Sequence, residues 1–530
     1  MSHLERSPSF TESEPQENCG ITGIISKEGI IVTHLLPQMN QKLINRGRDA
    51  AGMAAFDFLT GEISVYKGAG KVRELFPIGF DFSEHNLLST GGIGHNRYGV
   101  DDKYDKDDPS CSQPMIAEYR GRKVAIAYNG NLPERERAKL KKRFPPDVPE
   151  GPNVDTSEIL HAIITAEGEN WEDRIVNGLN GVHLAYSLTI LTDKGEIFGL
   201  RGPSGHWPLW VGEDESKIVL ASETRVDELK GFNNIAWSEV EPGELVQITP
   251  EGIKRKQIFR SPGLFRCALH DIYGARRNSK MTETITHGDF RKQAGRILAR
   301  EHPIVADHYV GIPETARDIV DGFTEELGTS ASELIVKRTE INGDEARAYI
   351  GKDTEERNEV LETYVVKNKE KIIGKSIVTI DDSNIRGTTA GGEPLKIADD
   401  NPIKRAKGYI GLLRESGAAR VDALFALSKF VDGCDMGYYI RQNQLVAVVR
   451  NEYGEIEILT EQQIADRIGA DSVYYMSIAG VKGAYEWVYG RKDVACMRCM
   501  GQPHPLDIIE KNESEHPSSS DTYTPPECGR

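Results

Sequence analysis

Ile377-Val378-Thr379-Ile380-Asp381-Asp382-Ser383-Asn384-Ile385-Arg386-Gly387-Thr388-Thr389 reads as a buried β-strand, then two carboxylates, then a Ser/Gly/Thr loop. An apolar β-branched run that ends in a polar, glycine-containing loop predicts the strand-to-helix corner of an α/β sheet. Ligands of open α/β sheets bind at such strand ends. Successive backbone N–H groups, with the hydroxyls of Ser383, Thr388 and Thr389, suit a phosphate dianion. Asp381 and Asp382 can accept from two adjacent sugar hydroxyls and approach Mg²⁺. The bland alternative is an ordinary strand end with a solvated turn, which leaves two carboxylates capping an apolar strand without a reason. Just upstream, Gly374-Lys375-Ser376 imitates the end of a Walker A loop. That loop needs Gly at position 369, where this chain has Lys, and it should follow a strand rather than precede one. A surface turn is expected there.

A second candidate site lies near the N-terminus. Cys19 opens the apolar run Cys19-Gly20-Ile21-Thr22-Gly23-Ile24-Ile25, after 18 polar residues with no apolar core of a secretory signal. Those residues read as a removable leader. Cleavage before Cys19 would place a thiol and a free α-amine on one residue. An α-amine titrates near ~8 and a thiol near ~8.5, so the amine can take the thiol proton at neutral pH. That is nucleophilic catalysis with the chain terminus as base. A Cys at a strand start is more often a buried apolar residue. Asn129-Gly130 alone is more often a hairpin turn.

The segments Asn45-Arg46-Gly47-Arg48-Asp49-Ala50-Ala51-Gly52, Lys67-Gly68-Ala69-Gly70, Gly94-His95-Asn96-Arg97-Tyr98, Tyr128-Asn129-Gly130-Asn131-Leu132 and Asp155-Thr156-Ser157-Glu158-Ile159-Leu160 follow in order. Together with Cys19 they resemble the class II glutamine amidotransferases, which are N-terminal-nucleophile hydrolases. The resemblance runs from residue 19 to about 255. It implies that Cys19 attacks the glutamine amide and that Arg97 grips the α-carboxylate, bidentately as a guanidinium can. The Asn129 amide and the Gly130 N–H would form the oxyanion hole. Asp155 would bind the substrate ammonium. The family has its Asp where this chain has Thr156, one position later, and a His where this chain has Asn45.

The 377–389 stretch resembles the phosphoribosyl pyrophosphate (PRPP) motif of type I phosphoribosyltransferases. Both resemblances on one chain point to the amidophosphoribosyltransferase family. Val310-Gly311-Ile312-Pro313-Glu314-Thr315-Ala316 is similar to that family's pyrophosphate loop, and Leu412 to Ala418 to a helix end of its donor domain. The resemblance implies PRPP binding by Glu314, Thr315, Asp381, Asp382, Ser383, Arg386, Gly387, Thr388 and Thr389, with Mg²⁺ at Asp381 and Asp382. It implies that a loop closing over PRPP couples the two sites.

Seven cysteines are present: Cys19, Cys111, Cys267, Cys434, Cys496, Cys499 and Cys528. A chain of this kind without a secretory signal belongs in a reducing, cytoplasmic compartment, where disulfides are rare. Cys496-Met497-Arg498-Cys499 alone could be half a zinc site, a redox pair or a coincidence. One subgroup of amidophosphoribosyltransferases has a cleaved leader and a [4Fe–4S] cluster. Cys267, Cys434, Cys496 and Cys499 match its ligand positions. Structural zinc on the same sulfurs is the alternative. Cys111 and Cys528 carry no assigned role.

The chain has 530 residues and a net charge of −17. Its mean hydropathy is −0.46, and no apolar run approaches a membrane span. The acidic balance disfavours a nucleic-acid partner. The expected fold is an α+β four-layer N-terminal-nucleophile glutaminase followed by an α/β type I phosphoribosyltransferase domain. The boundaries read as leader 1–18, glutaminase 19–258, linker 259–280, phosphoribosyltransferase domain 281–490, and a C-terminal cluster-binding segment with a disordered tail 491–530. A homo-oligomer, a tetramer, is implied by the resemblance alone.

Two features depart from the family. Its cationic loop before the PRPP strand is replaced at residues 349–359 by a stretch with more carboxylates than cations; Lys337, Arg338, Lys352 and Lys367 are the nearby candidates to offset pyrophosphate. Residues 390–409 are longer than the family's helix start. Three functions follow: the amidophosphoribosyltransferase reaction, a divergent amidotransferase acting on another phosphorylated donor, or a non-catalytic PRPP sensor. A sensor would have no use for Cys19, Arg97 and Asn129.

Overall fold

The computed structural model describes residues 19–98, 109–132, 134–148, 151–182, 185–261, 263–337, 364–392, 408–434, 436–438, 440–451 and 453–503. The predicted leader, the acidic loop 349–359, most of the 390–409 insertion and the tail from residue 504 lie outside them.

The N-terminal half stacks two antiparallel sheets. The seven-stranded sheet is built from β1 (Gly20–Ser26), β2 (Ala50–Asp57), β3 (Glu62–Ala69), β4 (Gly91–Arg97), β9 (Trp210–Glu213), β10 (Lys217–Ala221) and β11 (Ala236–Glu239). The six-stranded sheet comprises β5 (Met115–Tyr119), β6 (Arg122–Gly130), β7 (Tyr186–Thr192), β8 (Ile197–Arg201), β12 (Glu244–Thr249) and β13 (Gly252–Gln257). Alternation of side chains explains why the strands read as continuous apolar runs. Ile21 and Ile25 of β1 enter the layer between the sheets, while Ile24 faces the outer layer around α1 (Leu36–Lys42). On β6, Ala125 and Ala127 face the other sheet. Val124, Ile126 and Tyr128 face α4 (Asp155–Thr165) and α5 (Trp171–Leu179). Apolar side chains on both faces of each sheet give the order helix, sheet, sheet, helix. Each fully buried Ile or Val contributes about 1.5–3 kcal/mol to holding those layers.

The C-terminal half is an α/β unit. Its parallel sheet has the order β15 (His308–Gly311), β18 (Ser376–Asp381), β19 (Arg420–Phe425) and β22 (Ser472–Tyr475). Helices His287–Glu301 and Ala316–Glu326 pack closely against each other. The first is capped by Thr286 and Asp289 in a reciprocal box. Gly374, at φ +72°, makes the predicted exposed turn before β18. β15 lies beside β18, so the 311–315 and 382–387 loops leave adjacent carboxyl ends and enclose a cleft.

Part of the predicted 259–280 linker packs into the C-terminal half. Residues 265–275 are buried within the core of the C-terminal half, and β14 (Arg266–Cys267) pairs in parallel with β23 (Ala495–Cys496).

Candidate active site

Cys19 stands at the start of β1, partly exposed, with its carbonyl accepting from Arg46 Nε at 3.0 Å. Burial pushes the Cys19 thiol up to about 11. A backbone hydrogen bond from Tyr98 and the charges of Arg97 and Arg46 oppose that rise, and Asp155 adds to it. Arg97 and Asp155 therefore both lie within electrostatic reach of the thiol. At neutral pH the thiol is protonated in this setting, so attack requires a base.

Asp155 is the first residue of α4. It accepts from Thr156 N at 2.8 Å and Leu132 N at 3.2 Å. Burial lifts its carboxyl to about 6 in spite of those two bonds. A cation bound beside it would reverse that shift. His95 sits at hydrogen-bond distance from the Tyr128 carbonyl (3.3 Å), and burial drives it down to about 3, which keeps it neutral and structural.

Asn129 carries the clearest functional signature here. Its side chain is 0% exposed, yet neither Nδ2 nor Oδ1 has a hydrogen-bond partner within the protein. Buried amides are nearly always paired, and an orphan costs about 1–3 kcal/mol. A donor kept dry and unpartnered suits a ligand oxygen that arrives only during the reaction. Gly130 follows where a Cβ would come within 2.7 Å of the Ala185 carbonyl and the Tyr128 ring.

The second site is the cleft over β18. Its lining includes Asp381, Asp382, Ser383, Arg386, Gly387, Thr388 and Thr389, with Thr315 from the facing loop. Asp382 accepts from the Thr315 hydroxyl and, at 2.7 Å, from Ser383 Oγ; Asp381 Oδ1 accepts from Asp382 N at 2.9 Å. These bonds aim two adjacent carboxylates from a rigid strand end. Gly387, at φ +81°, turns the chain into the single helical turn Thr388–Gly391. Any side chain there would be strained and would meet Val446 at 2.8 Å. Arg386 is braced by Gln444 Oε1 at 2.9 Å.

Glu314 is placed differently from the other predicted donor-site residues. It lines the adjoining cleft, which shares Thr315, and faces Arg276 at 3.7 Å. The sequence reading missed Tyr273 and Tyr364, which also line the donor cleft. Of the cations offered against pyrophosphate, Lys367 pairs with Glu333 at 2.9 Å; Arg338 and Lys352 lie outside the described residues.

The structure brings the four C-terminal cysteines together. Cys267 and Cys496 are register partners, and Cys499 anchors the loop before Cys434 through bonds from Val431 N (2.9 Å) and Asp432 N (3.1 Å). Burial pushes the Cys267 and Cys499 thiols well up, and the charges of the neighbouring cysteines push the same way. Among the described residues, His270, Asp271 and His287 bring ligand atoms within 4.8 Å of one another. The His270–Asp271–His287 set is structural. Asp271 is filled by Arg266 (3.0 Å, bidentate), His287 (3.0 Å) and Tyr485 (2.8 Å), and Arg46 lies 3.1 Å from His270. A cation would face two guanidinium groups and no open lone pair.

Comparison with known proteins agrees with this layout. A family model described as a glutamine amidotransferase domain matches residues 95–226. An amidophosphoribosyltransferase of Mycobacterium leprae is 28% identical over 525 residues, covering 95% of this chain and 85% of that protein. One from Methanocaldococcus jannaschii is 28% identical, covering 92% and 98%. The solved glutamine PRPP amidotransferase of B. subtilis, in complex with ADP and GMP, superposes with a TM-score of 0.74 at 25% identity, covering 92% of this chain and 97% of that one. Two sites in the same order, on the same fold and over nearly the whole chain, are what this protein shares with the amidophosphoribosyltransferases.

Proposed function

We propose that the chain converts PRPP, glutamine and water into 5-phosphoribosylamine, glutamate and pyrophosphate, the opening reaction of purine biosynthesis. The observation that carries this reading is the pairing, in one chain, of a Cys19 site with a dry, unpartnered Asn129 amide and a donor cleft floored by Asp381 and Asp382.

Removal of residues 1–18 frees the Cys19 α-amine, which takes the thiol proton as Sγ attacks the glutamine amide carbon. The carbonyl oxygen becomes an oxyanion that accepts from Asn129 Nδ2 and the Gly130 N–H. Collapse expels ammonia, with the proton returned by the amine, and leaves a glutamyl thioester. Water hydrolyses the thioester to glutamate. Arg97 and Asp155 hold the α-carboxylate and α-ammonium through both steps. The ammonia lone pair then forms a bond to the anomeric carbon of PRPP while the bond to pyrophosphate breaks. Asp381 and Asp382 accept from the ribose hydroxyls. Ser383, Thr388 and Thr389, with the N–H groups of the loop, hold the 5-phosphate.

Two groups complete the proposal. Mg²⁺ at Asp381 and Asp382 would offset charge on the departing pyrophosphate. A [4Fe–4S] cluster on Cys267, Cys434, Cys496 and Cys499 would tie the junction strand to the C-terminal segment. Its support is that Cys267, Cys496 and Cys499 are buried, Cys434 is half-buried, and Cys267 lies within electrostatic reach of the other three. A reducing, cytoplasmic setting suits cysteines of this kind, and no helix of the described residues is long and apolar enough to cross a membrane. A homo-oligomer is part of the proposal through the family alone.

The test is product identity. Glutamine labelled with ¹⁵N in its amide is given with PRPP and Mg²⁺ to protein lacking residues 1–18. Labelled nitrogen on C1 of a ribose 5-phosphate supports the reading. Labelled free ammonia with intact PRPP overturns it in favour of another acceptor.

A further inference from the structure

Between the two sites lies a buried carboxylate that neither site uses. Glu223 follows β10 and is 1% exposed. Each of its oxygens takes two donors, and the two pairs come from opposite directions. Oε1 accepts from Asn45 Nδ2 at 2.9 Å and Arg46 Nη1 at 3.2 Å. Oε2 accepts from Arg276 N at 3.1 Å and Ser279 Oγ at 2.8 Å.

The first pair leads to the nucleophile. Arg46, also 1% exposed, donates through Nε to the Cys19 carbonyl. The second pair leads to the donor cleft. Arg276 faces Glu314, beside Thr315, which binds Asp382. Three residues before Arg276, Tyr273 lines the donor cleft itself. Asn45 Nδ2 also reaches the Gly274 carbonyl at 3.3 Å, so the two segments are cross-linked beside the carboxylate. Arg46 has no acceptor, so its 3.1 Å contact fixes His270 Nε2 as the acceptor and puts the ring proton on Nδ1, toward Tyr438. Gly274 keeps this pocket closed, since a Cβ there would fall 2.5 Å from the Tyr438 hydroxyl and 2.8 Å from His270 Nδ1.

Resting on the proposed reaction, we infer that Glu223 is a positioning residue that couples the donor cleft to Cys19, by holding the Arg46 and Arg276–Ser279 segments on opposite oxygens of one carboxylate. A shift of the 273–279 segment when PRPP fills the cleft is transmitted to Arg46, and through Arg46 to the Cys19 carbonyl. In a dry interior a doubly paired carboxylate has few ways to relax, so the two segments move together.

The experiment measures glutamine hydrolysis by leader-free protein with and without PRPP and Mg²⁺, alongside ammonia-dependent synthesis. Glu223→Gln keeps the shape but turns an NH₂ toward two donors. The stimulation of hydrolysis by PRPP is expected to fall about tenfold or more, the usual size of a coupling between sites, with ammonia-dependent synthesis kept within about twofold. Ser279→Ala cuts one donor on the cleft side only and leaves Arg46 paired; its stimulation should fall by a smaller factor while unstimulated hydrolysis holds. If Glu223→Gln slows hydrolysis equally with and without PRPP, Glu223 merely supports Arg46 and the coupling role is wrong. If Glu223→Gln does not fold, unchanged stimulation in Ser279→Ala overturns it. A wild-type protein with no PRPP-stimulated hydrolysis would instead remove the reaction on which the inference rests.

Discussion

Replacing Asn129 by Leu should make the protein more stable and less active at once. Both amide atoms of Asn129 are buried and unpartnered, so the native state holds a desolvation cost that no protein hydrogen bond offsets. Removing such a group is worth about 1–3 kcal/mol. For a domain of roughly 150–250 residues, each kcal/mol moves the melting temperature by about 2–4 °C. The N-terminal transition should therefore rise by at least about 2 °C. The same change removes the side-chain donor to the oxyanion, which costs about 10²–10³ in kcat for glutamine, or about 2.7–4 kcal/mol of transition-state stabilisation. Ammonia-dependent synthesis bypasses Cys19 and should persist. The assays are a calorimetric melt and parallel glutamine- and ammonia-dependent rates on the leader-free protein. A lower melting temperature would show that Asn129 is paired in the resting protein. Undiminished glutamine turnover would show that the oxyanion is held elsewhere.

Further outcomes follow from the same geometry. Cys19→Ala should abolish glutamine use and spare ammonia-dependent synthesis, read as glutamate and pyrophosphate release; surviving glutamine use would move the nucleophile. Asp381→Ala with Asp382→Ala should abolish PRPP binding measured calorimetrically, and unchanged affinity would sink the ribose role. Asp155 binds ammonium only when ionised, and its folded value of about 6 lies above its ordinary 3.8. Glutamine kcat/KM should therefore fall as pH drops through about 6, while the ammonia-dependent rate escapes that limb. The same raised value means that the native protein binds the extra proton between those values, so this group's stabilising contribution is present below 3.8 and is lost as pH rises through about 6. Asp155→Asn should flatten that loss in a melt series. Anaerobically purified protein should carry about four iron atoms per chain, and Cys496→Ser should lose them and melt lower; zinc at one per chain would replace the cluster reading.

Much of this was legible because the chemistry is local in sequence. Asp381 to Thr389 is one strand end and one loop, and Asn129-Gly130 closes one strand. What escaped depends on long-range matching. The 259–280 stretch reads as a linker, and it carries Arg266, Asp271, Arg276, Arg277 and Asn278. Its 265–275 portion is buried nonetheless, because Arg266 meets Asp271 and Tyr485 crosses to the same carboxylate. Glu223 gave no signal at all, since its donors come from positions more than 50 residues away on both sides. Tyr273 and Tyr364 reach the donor cleft only through that folding, and no spacing rule connects them to Asp381. The cysteines were legible as a set through resemblance, and the Cys267–Cys496 register supplies the physical link that spacing could not.

The central claim is that one chain uses glutamine nitrogen to displace pyrophosphate. Its most direct test follows glutamate and pyrophosphate together, anaerobically, from leader-free protein with glutamine, PRPP and Mg²⁺. The account predicts equal amounts of both, each dependent on both substrates. Glutamate released without pyrophosphate would contradict it.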